Sequence, residues 1–346
     1  MATVKFAVIG TGRMGLIHAK NLRARIQNAE LVAVADINAE VAKEAGRQTG
    51  VESFSDYGEV LELPGLDAVC IVTSTDTHAQ ISTEAAEKGL HVFCEKPMAI
   101  NLEEADRLIA TVERKKIKLQ VGFMRRFDLP HVYAKRRLDE GAIGKPTVFR
   151  SISRDPFPPP AWACDPKRGG GLQLEMHTHD YDLARWMMND EVVRIYADAE
   201  CLVFSDLKKQ VPEFVDNTLL ILRFARGQLG YIEGSLNAKY GYDIRAEISG
   251  TEGSILIGNP RMTDVTVCTS EGLNYEVTYT GSSEIPHFAQ RFGDAYVAEM
   301  ENFVKTILED MPASPDVSDG RAALQIGLGA FESTSTGRPV EVRDIR

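Results

Sequence analysis

Apolar positions in the first 124 residues fall into two alternating periods. The runs VKFAVI (4–9), LVAVAD (31–36), DAVCIVTS (67–74), HVFCEKP (91–97) and LQVGFM (119–124) are short and almost wholly apolar. Strands buried on both faces of a parallel sheet read this way. Helical spacing separates them. Met14, Ile17, Leu22 and Ile26 step by turns, THAQISTEAAEKG (77–89) ends at a glycine, and LEEADRLIATVERKK (102–116) follows. Regular strand–helix alternation predicts a parallel, doubly wound sheet. Ligands bind such sheets at the C-terminal strand ends, which here carry Thr73, Ser74, Glu95, Lys96, Pro97, Arg125 and Arg126.

From about residue 145 the pattern becomes strands joined by tight turns: TVFRSISRD, EVVRIYADAECLV, NTLLILRFARGQLGYIEGSL, DIRAEISGTEGSILIG and VTVCTSEGLNYEVTYT. Gly227 and the GTEG segment at 250–253 are hairpin signals. Helical spacing returns only over roughly 172–188, 292–309 and 318–335. With so few helices, one sheet face is left for a partner subunit. The length of 346 residues also suggests two domains, placed at 1–123 and 124–346.

Composition narrows the partners. Net charge is −11, and the charges are dispersed, with no basic cluster to neutralise a phosphate backbone. No apolar run is long enough to span a bilayer. The opening MATVKFAVIGTG leads directly into a strand pattern without a leader, so the expected location is the cytoplasm. The five cysteines form no CxxC pair, which argues against a disulfide framework or a cysteine zinc site. Cys70 and Cys94 lie in apolar runs and read as buried packing. The segment PFPPP reads as a stiff loop bordering a pocket.

The strongest local signal is Gly10-Thr11-Gly12-Arg13-Met14-Gly15, between the first strand and the first helix. Gly10 permits a tight turn, Gly12 lets the backbone approach a pyrophosphate, and Gly15 lets helix and strand pack closely. The helix N-terminus then offers N–H donors to the phosphates. Asp36 follows 21 residues after Gly15, at the end of the second strand. There a carboxylate accepts both ribose hydroxyls and repels a 2′-phosphate, and neither Ile37 nor Asn38 supplies an arginine in compensation. The expected cofactor is NAD rather than NADP; a helix N-cap is the lesser reading of Asp36.

Two further features bear on chemistry. Lys96 closes an apolar strand, followed by Pro97 across a bond that can be cis. It faces either a ligand or solvent, paired with Glu95. The stretch GGGLQLEMHTHDYDLARW (169–186) carries Glu175, His177, His179, Asp180 and Asp182. As a strand it would set Glu175, His177 and His179 on one face, a donor set suited to zinc. From Tyr181 onward, however, apolar residues step by three and four. A helix through His179 is therefore expected, with Glu175 and His179 stacked on one face. His177 reads as a neighbour bonded to backbone, and Asp180 and Asp182 as caps or partners of Arg185. His78 follows a strand end close to the expected cofactor.

The GTGRMG turn, Asp36, EKP at 95–97 and GGG…H at 169–179 together resemble the Gfo/Idh/MocA oxidoreductases over essentially the whole chain. GFMRRFD (122–128), SRDPFPPP (153–160), KYGYDIR (239–245) and HFAQRFGDAYVAEM (287–300) are most similar to the inositol 2-dehydrogenase branch. The resemblance implies an N-terminal Rossmann domain and a C-terminal α/β domain whose large, open, mainly antiparallel sheet joins dimers or tetramers. It implies NAD-dependent oxidation of a ring hydroxyl of a cyclic polyol or related sugar. Sugar reduction, NAD-dependent glycoside cleavage and a non-catalytic NAD-binding regulator are the other readings.

In the implied site His179 is the catalytic base, Lys96 donates a hydrogen bond to the reacting oxygen, and Glu175 stands where the family usually has aspartate. Gly10, Thr11, Gly12, Arg13, Met14, Gly15, Asp36, Thr73, Ser74, His78, Glu95 and Lys96 are the expected cofactor residues. Arg126, Asp155, Tyr240 and Tyr242 are the candidates for gripping the other hydroxyls. No metal is expected.

Overall fold

The computed structural model describes residues 2–239, 241–258 and 288–345, together with the backbone of 266–267 and 274–275. Six strands form the first sheet: β1 (Val4–Ile9), β2 (Ala29–Ala35), β3 (Glu52–Phe54), β4 (Ala68–Ile71), β5 (His91–Cys94) and β6 (Leu119–Val121). They lie in the order β3-β2-β1-β4-β5-β6, and every pairing is parallel. This is the doubly wound arrangement with its switch point between β1 and β4. β4 is buried along its whole length, as a strand covered by helices on both faces must be, and Cys70 and Cys94 are packed in that core.

The crossover helices carry their own end signals. The Asn101 side chain accepts from the Glu104 N–H at the start of Leu102–Lys115, and Gly50 closes Ala39–Thr49 in the left-handed conformation. Asn38, not Asp36, caps Ala39–Thr49. The helix Leu129–Asp139 is absent from the sequence-based expectation; it leaves Leu129 and Tyr133 exposed, so no clean apolar stripe marks it.

The second sheet contains β7 (Pro146–Arg154), β8 (Val192–Glu200), β9 (Asn217–Phe224), β10 (Leu229–Ser235), β11 (Asp243–Gly250) and β12 (Ser254–Ile257), with the short strand Val340–Glu341 at its far edge. The order is β12-β11-β7-β10-β9-β8, then Val340–Glu341. All pairings are antiparallel except β7 with β10. The helices Thr178–Met188 and Val317–Thr336 cover one face. On the other, Leu219, Ile221, Leu229, Tyr231 and Leu256 are exposed. Most of the expected strand VTVCTSEGLNYEVTYT lies outside the described residues, as does Tyr240.

Helices from the C-terminal part pack against the first sheet. The helix Gly293–Leu308 sets Phe303 against Phe6 and Phe93, while Val317–Thr336 packs on Leu102–Lys115 and β6. A cluster of Met124, Ile244, Phe292, Ala295 and Tyr296, with Met14 and Tyr242 against it, joins the ends of the two sheets. No helix among the described residues is long and apolar enough to cross a membrane.

Candidate active site

At the nucleotide end, each glycine of the turn has a distinct environment. A Cβ on Gly15 would lie 1.8 Å from the Gly10 carbonyl oxygen, so helix and turn touch only because the side chain is missing. Gly10 has φ +88°, and a Cβ there would strike the Val72 carbonyl at 2.5 Å. A Cβ on Gly12 would meet nothing within 4 Å: the space in front of it is open. Asp36 Oδ2 accepts the Thr11 N–H at 2.8 Å, and Oδ1 accepts the Asn38 N–H at 2.9 Å. Its carboxylate is therefore fixed beside the turn before any ligand arrives. This arrangement fits the pyrophosphate and ribose of a dinucleotide. Arg13 is exposed, its guanidinium 4.3 Å from the centre of the Phe288 ring. Thr73 and Ser74 sit half-buried just after β4, where the Thr77 hydroxyl donates to Thr73 Oγ1.

The chemical end is built where the glycine-rich segment 169–171 turns into a helix. Residues Leu172–Met176 form a wide π-helical stretch, and α-helix begins only at Thr178. Such stretches widen the hydrogen-bond ladder and often lie at functional sites. Here the stretch presents the Glu175 carbonyl to Lys96, whose Nζ donates to it at 2.8 Å and to Glu175 Oε1 at 3.0 Å. The expected plain helix with Glu175 stacked four residues before His179 is thus corrected: the π-stretch changes the stagger, and Glu175 turns to Lys96. The Lys96–Pro97 peptide is cis.

His179 lies in the first turn of Thr178–Met188, 8% exposed, with Phe123 edge-on at 6.3 Å between ring centres. Burial lowers its pKa well below the ordinary histidine range, and the cations of Lys96 and Arg125 lower it further. The ring is therefore neutral at pH 7 and able to accept a proton. Its Nδ1 is buried and unpartnered among the described residues.

Asp155, just past β7, and Tyr242, just before β11, complete the wall. Burial raises the Asp155 carboxyl to about 7; the Glu175 carboxylate adds to this, while Lys96, Arg125 and Arg13 oppose it. Burial and the Asp155 charge push the Tyr242 phenol far up, so it remains a neutral hydrogen-bonding group.

Several expected residues have other roles. Arg126 is not free to grip substrate: its guanidinium holds Asp182 through two bonds, at 2.6 and 2.9 Å, reaches Asp319 at 3.0 Å and lies over Trp186. The neighbouring Arg125 turns toward the site instead, 2% exposed, donating to Asp180 at 2.6 Å and Ser153 at 3.0 Å. A dipeptide of two arginines at a strand end does not reveal which one points inward.

Asp180 also accepts from the Ser151 and Ser153 hydroxyls and pairs with His177 at 2.7 Å. His177 bonds side chains, Asp180 and Thr218, rather than backbone, and so the zinc set Glu175–His177–His179 is not assembled. Arg185 pairs with Glu191 and Asp319, not with Asp180 or Asp182. His78 has one ring nitrogen 2.8 Å from the Pro97 carbonyl oxygen and the other 3.1 Å from that of Thr73; burial lowers its pKa, and the neutral ring donates to one of the two. Glu95 is buried and bonded to His18 at 2.8 Å.

Two family profiles match the chain. One, described as an oxidoreductase family with an NAD-binding Rossmann fold, covers residues 4–123; the other, the GFO/IDH/MocA C-terminal domain, covers 131–256. The chain is 38% identical over 343 residues to myo-inositol 2-dehydrogenase of Thermotoga maritima, covering 99% of both chains. It is 39% identical to scyllo-inositol 2-dehydrogenase (NAD(+)) of Bacillus subtilis, covering 98% of this chain and 96% of the relative. The crystal structure of scyllo-inositol dehydrogenase from Lactobacillus casei with bound NAD(H) and scyllo-inositol superposes with a TM-score of 0.86 at 29% identity, covering 99% of both chains. An NAD-type fingerprint in its strand–turn–helix setting, a lysine and a histidine converging at the strand ends, and these matches have one meaning: the chain belongs to the Gfo/Idh/MocA oxidoreductase family.

Proposed function

We propose that this protein is an NAD-dependent inositol dehydrogenase, oxidising one ring hydroxyl of a cyclic polyol to the ketone. The observation that carries the reading is the convergence of Lys96, Glu175 and neutral His179 at the C-terminal ends of the parallel strands, beside the dinucleotide turn. Residues 1–123 form the nucleotide-binding unit in this reading, and 124–346 the unit for substrate and assembly, in the cytoplasm. Gly10, Gly12, Gly15 and Asp36 hold NAD, which when bound supplies the hydride acceptor.

His179 takes the proton of the reacting hydroxyl. Lys96, steered by the two Glu175 oxygens, donates a hydrogen bond to the oxygen as it becomes a carbonyl. Asp155 and Tyr242 bind neighbouring hydroxyls, and Arg125 acts from behind, biasing His179 and Asp155 by its charge. The Phe123 ring excludes water. The test is NADH formation, read by absorbance, with myo-, scyllo- and chiro-inositol and common aldoses, with and without chelator. Turnover indifferent to chelator supports the reading. Release of sugar from a glycoside without net NADH, or bound NAD with no turnover at all, would replace it.

Three further expectations follow from the geometry. Replacing Asp36 by serine removes the charge that opposes a 2′-phosphate. The ratio of kcat/KM for NADP to that for NAD is expected to rise on the order of tenfold or more, since juxtaposed like charges cost several kcal/mol.

Asp155 titrates at about 7. An inflection of kcat/KM for polyol is therefore expected near neutrality, and D155N is expected to abolish it. A profile unchanged in D155N would remove Asp155 from the substrate contacts.

The open sheet face, with Leu219 61% and Ile221 56% exposed, is read as the surface joining copies into a dimer or tetramer. Light scattering on the double variant L219D/I221D is expected to show a smaller species than the wild type.

A further inference from the structure

Glu299 is a buried acid that the mechanism leaves unused. Glu299, on the helix Gly293–Leu308, is fully buried, and neither of its carboxyl oxygens has a hydrogen-bond partner among the described residues. It faces His18, on the helix Arg13–Ala24, and Glu95, at the end of β5. One ligating atom from each of the three lies within 4.8 Å of the others. Glu95 is engaged on both oxygens: Oε1 lies 2.8 Å from His18 Nε2, and Oε2 accepts the Lys96 backbone N–H at 3.2 Å. Phe93 and Tyr296 pack on the His18 ring, so the surroundings are apolar.

Two carboxylates this close in an apolar pocket cannot both be ionised without a cation for each. Glu95 has the partners that stabilise a charge: burial opposes its ionisation, and His18 and Lys96 overcome that opposition. Glu299 has none, and burial together with the Glu95 charge holds its proton on. A buried acid without a partner of its own costs folding free energy unless it hydrogen-bonds a neighbour, directly or through a water. Glu95 is the charged acceptor within reach.

We propose that Glu299 is a positioning residue for Lys96: as the uncharged third member of a His18–Glu95–Glu299 cluster it holds Glu95, and through Glu95 the backbone that aims Lys96. A helix from the far end of the chain thus sets the posture of a residue in the nucleotide-binding sheet. The competing occupant of the cluster is a metal ion held by the same three side chains.

The first arm of the test uses the purified full-length protein without substrate. The infrared difference spectrum, wild type minus E299Q at pH 7, is expected to show the carbonyl stretch of a protonated carboxylic acid, shifted in D2O. Absence of that band overturns the proposal. So does stoichiometric metal in the wild type that is lost in E299Q, measured by elemental analysis.

The second arm rests on the inositol dehydrogenase reading. E299L is expected to lower kcat about tenfold to a hundredfold with NAD affinity kept, the scale of a small misplacement of a reacting group. E299Q, which matches the acid in shape and still donates, is expected to restore most of that loss. Wild-type kcat in E299L reduces Glu299 to packing and overturns the positioning role. Should E299L not fold, E299M takes its place. A wild type silent on every polyol sinks the functional reading alone and leaves the infrared arm to decide this one.

Discussion

Replacing His179 by alanine is expected to lower kcat by about a hundredfold to ten-thousandfold, the usual contribution of a positioned general base. Binding of NAD, followed by fluorescence titration, is expected to survive, because in the proposed mechanism His179 acts on the polyol and the glycine turn holds the nucleotide. The sign of the pH dependence follows from the environment. Burial, then Lys96 and Arg125, lower the pKa of the ring. The base form therefore persists as pH falls below about 6.5, the ordinary histidine value, and activity is lost only when pH passes through the lower value of the folded protein. The acid limb assigned to His179 thus lies below that of an exposed histidine, and separately from the Asp155 step at about 7. An H179A variant with near wild-type kcat would remove the histidine from the chemistry.

Lys96→Met is the second large effect. The ammonium is aimed by the Glu175 carbonyl at 2.8 Å and the Glu175 carboxylate at 3.0 Å, leaving its side chain 13% exposed at the cleft. A donor preset where charge develops contributes about a hundredfold to a thousandfold in kcat, and methionine keeps the length of the side chain while removing the donor. The loss is expected in kcat more than in the KM for NAD. Glu175→Ala is expected to be milder, since the backbone carbonyl still holds Lys96 after the carboxylate is gone. Steady-state kinetics of the two variants side by side tests this ordering; E175A as damaging as K96M would mean that the carboxylate itself touches the substrate.

How much of the site was legible depended on how local its signals were. The glycine turn and Asp36 could be read directly, because a tight turn, a close helix–strand approach and a strand-end acid each demand a residue type at a set spacing. The alternation of apolar runs likewise led to a parallel sheet. Lys96 was a coin with two faces until the fold brought Glu175 to it, 79 residues away. Arg125 and Arg126 are adjacent and chemically identical, and only the opposite placement of Asp180 and Asp182 separates their roles.

The local period of the chain determined most of the strands, most of the longer helices and the dinucleotide turn, because each depends on neighbours within a few positions; the short strand β3 and the helices Ala39–Thr49 and Leu129–Asp139 were not among them. Tertiary structure decided the rest. It opened the helix at Leu172–Met176 into a π-stretch, bound His177 to Thr218 of β9, and buried Glu299 beside Glu95. Those outcomes turn on desolvation and charge pairing between segments far apart in sequence, and such energies exist only once the chain has brought the groups together.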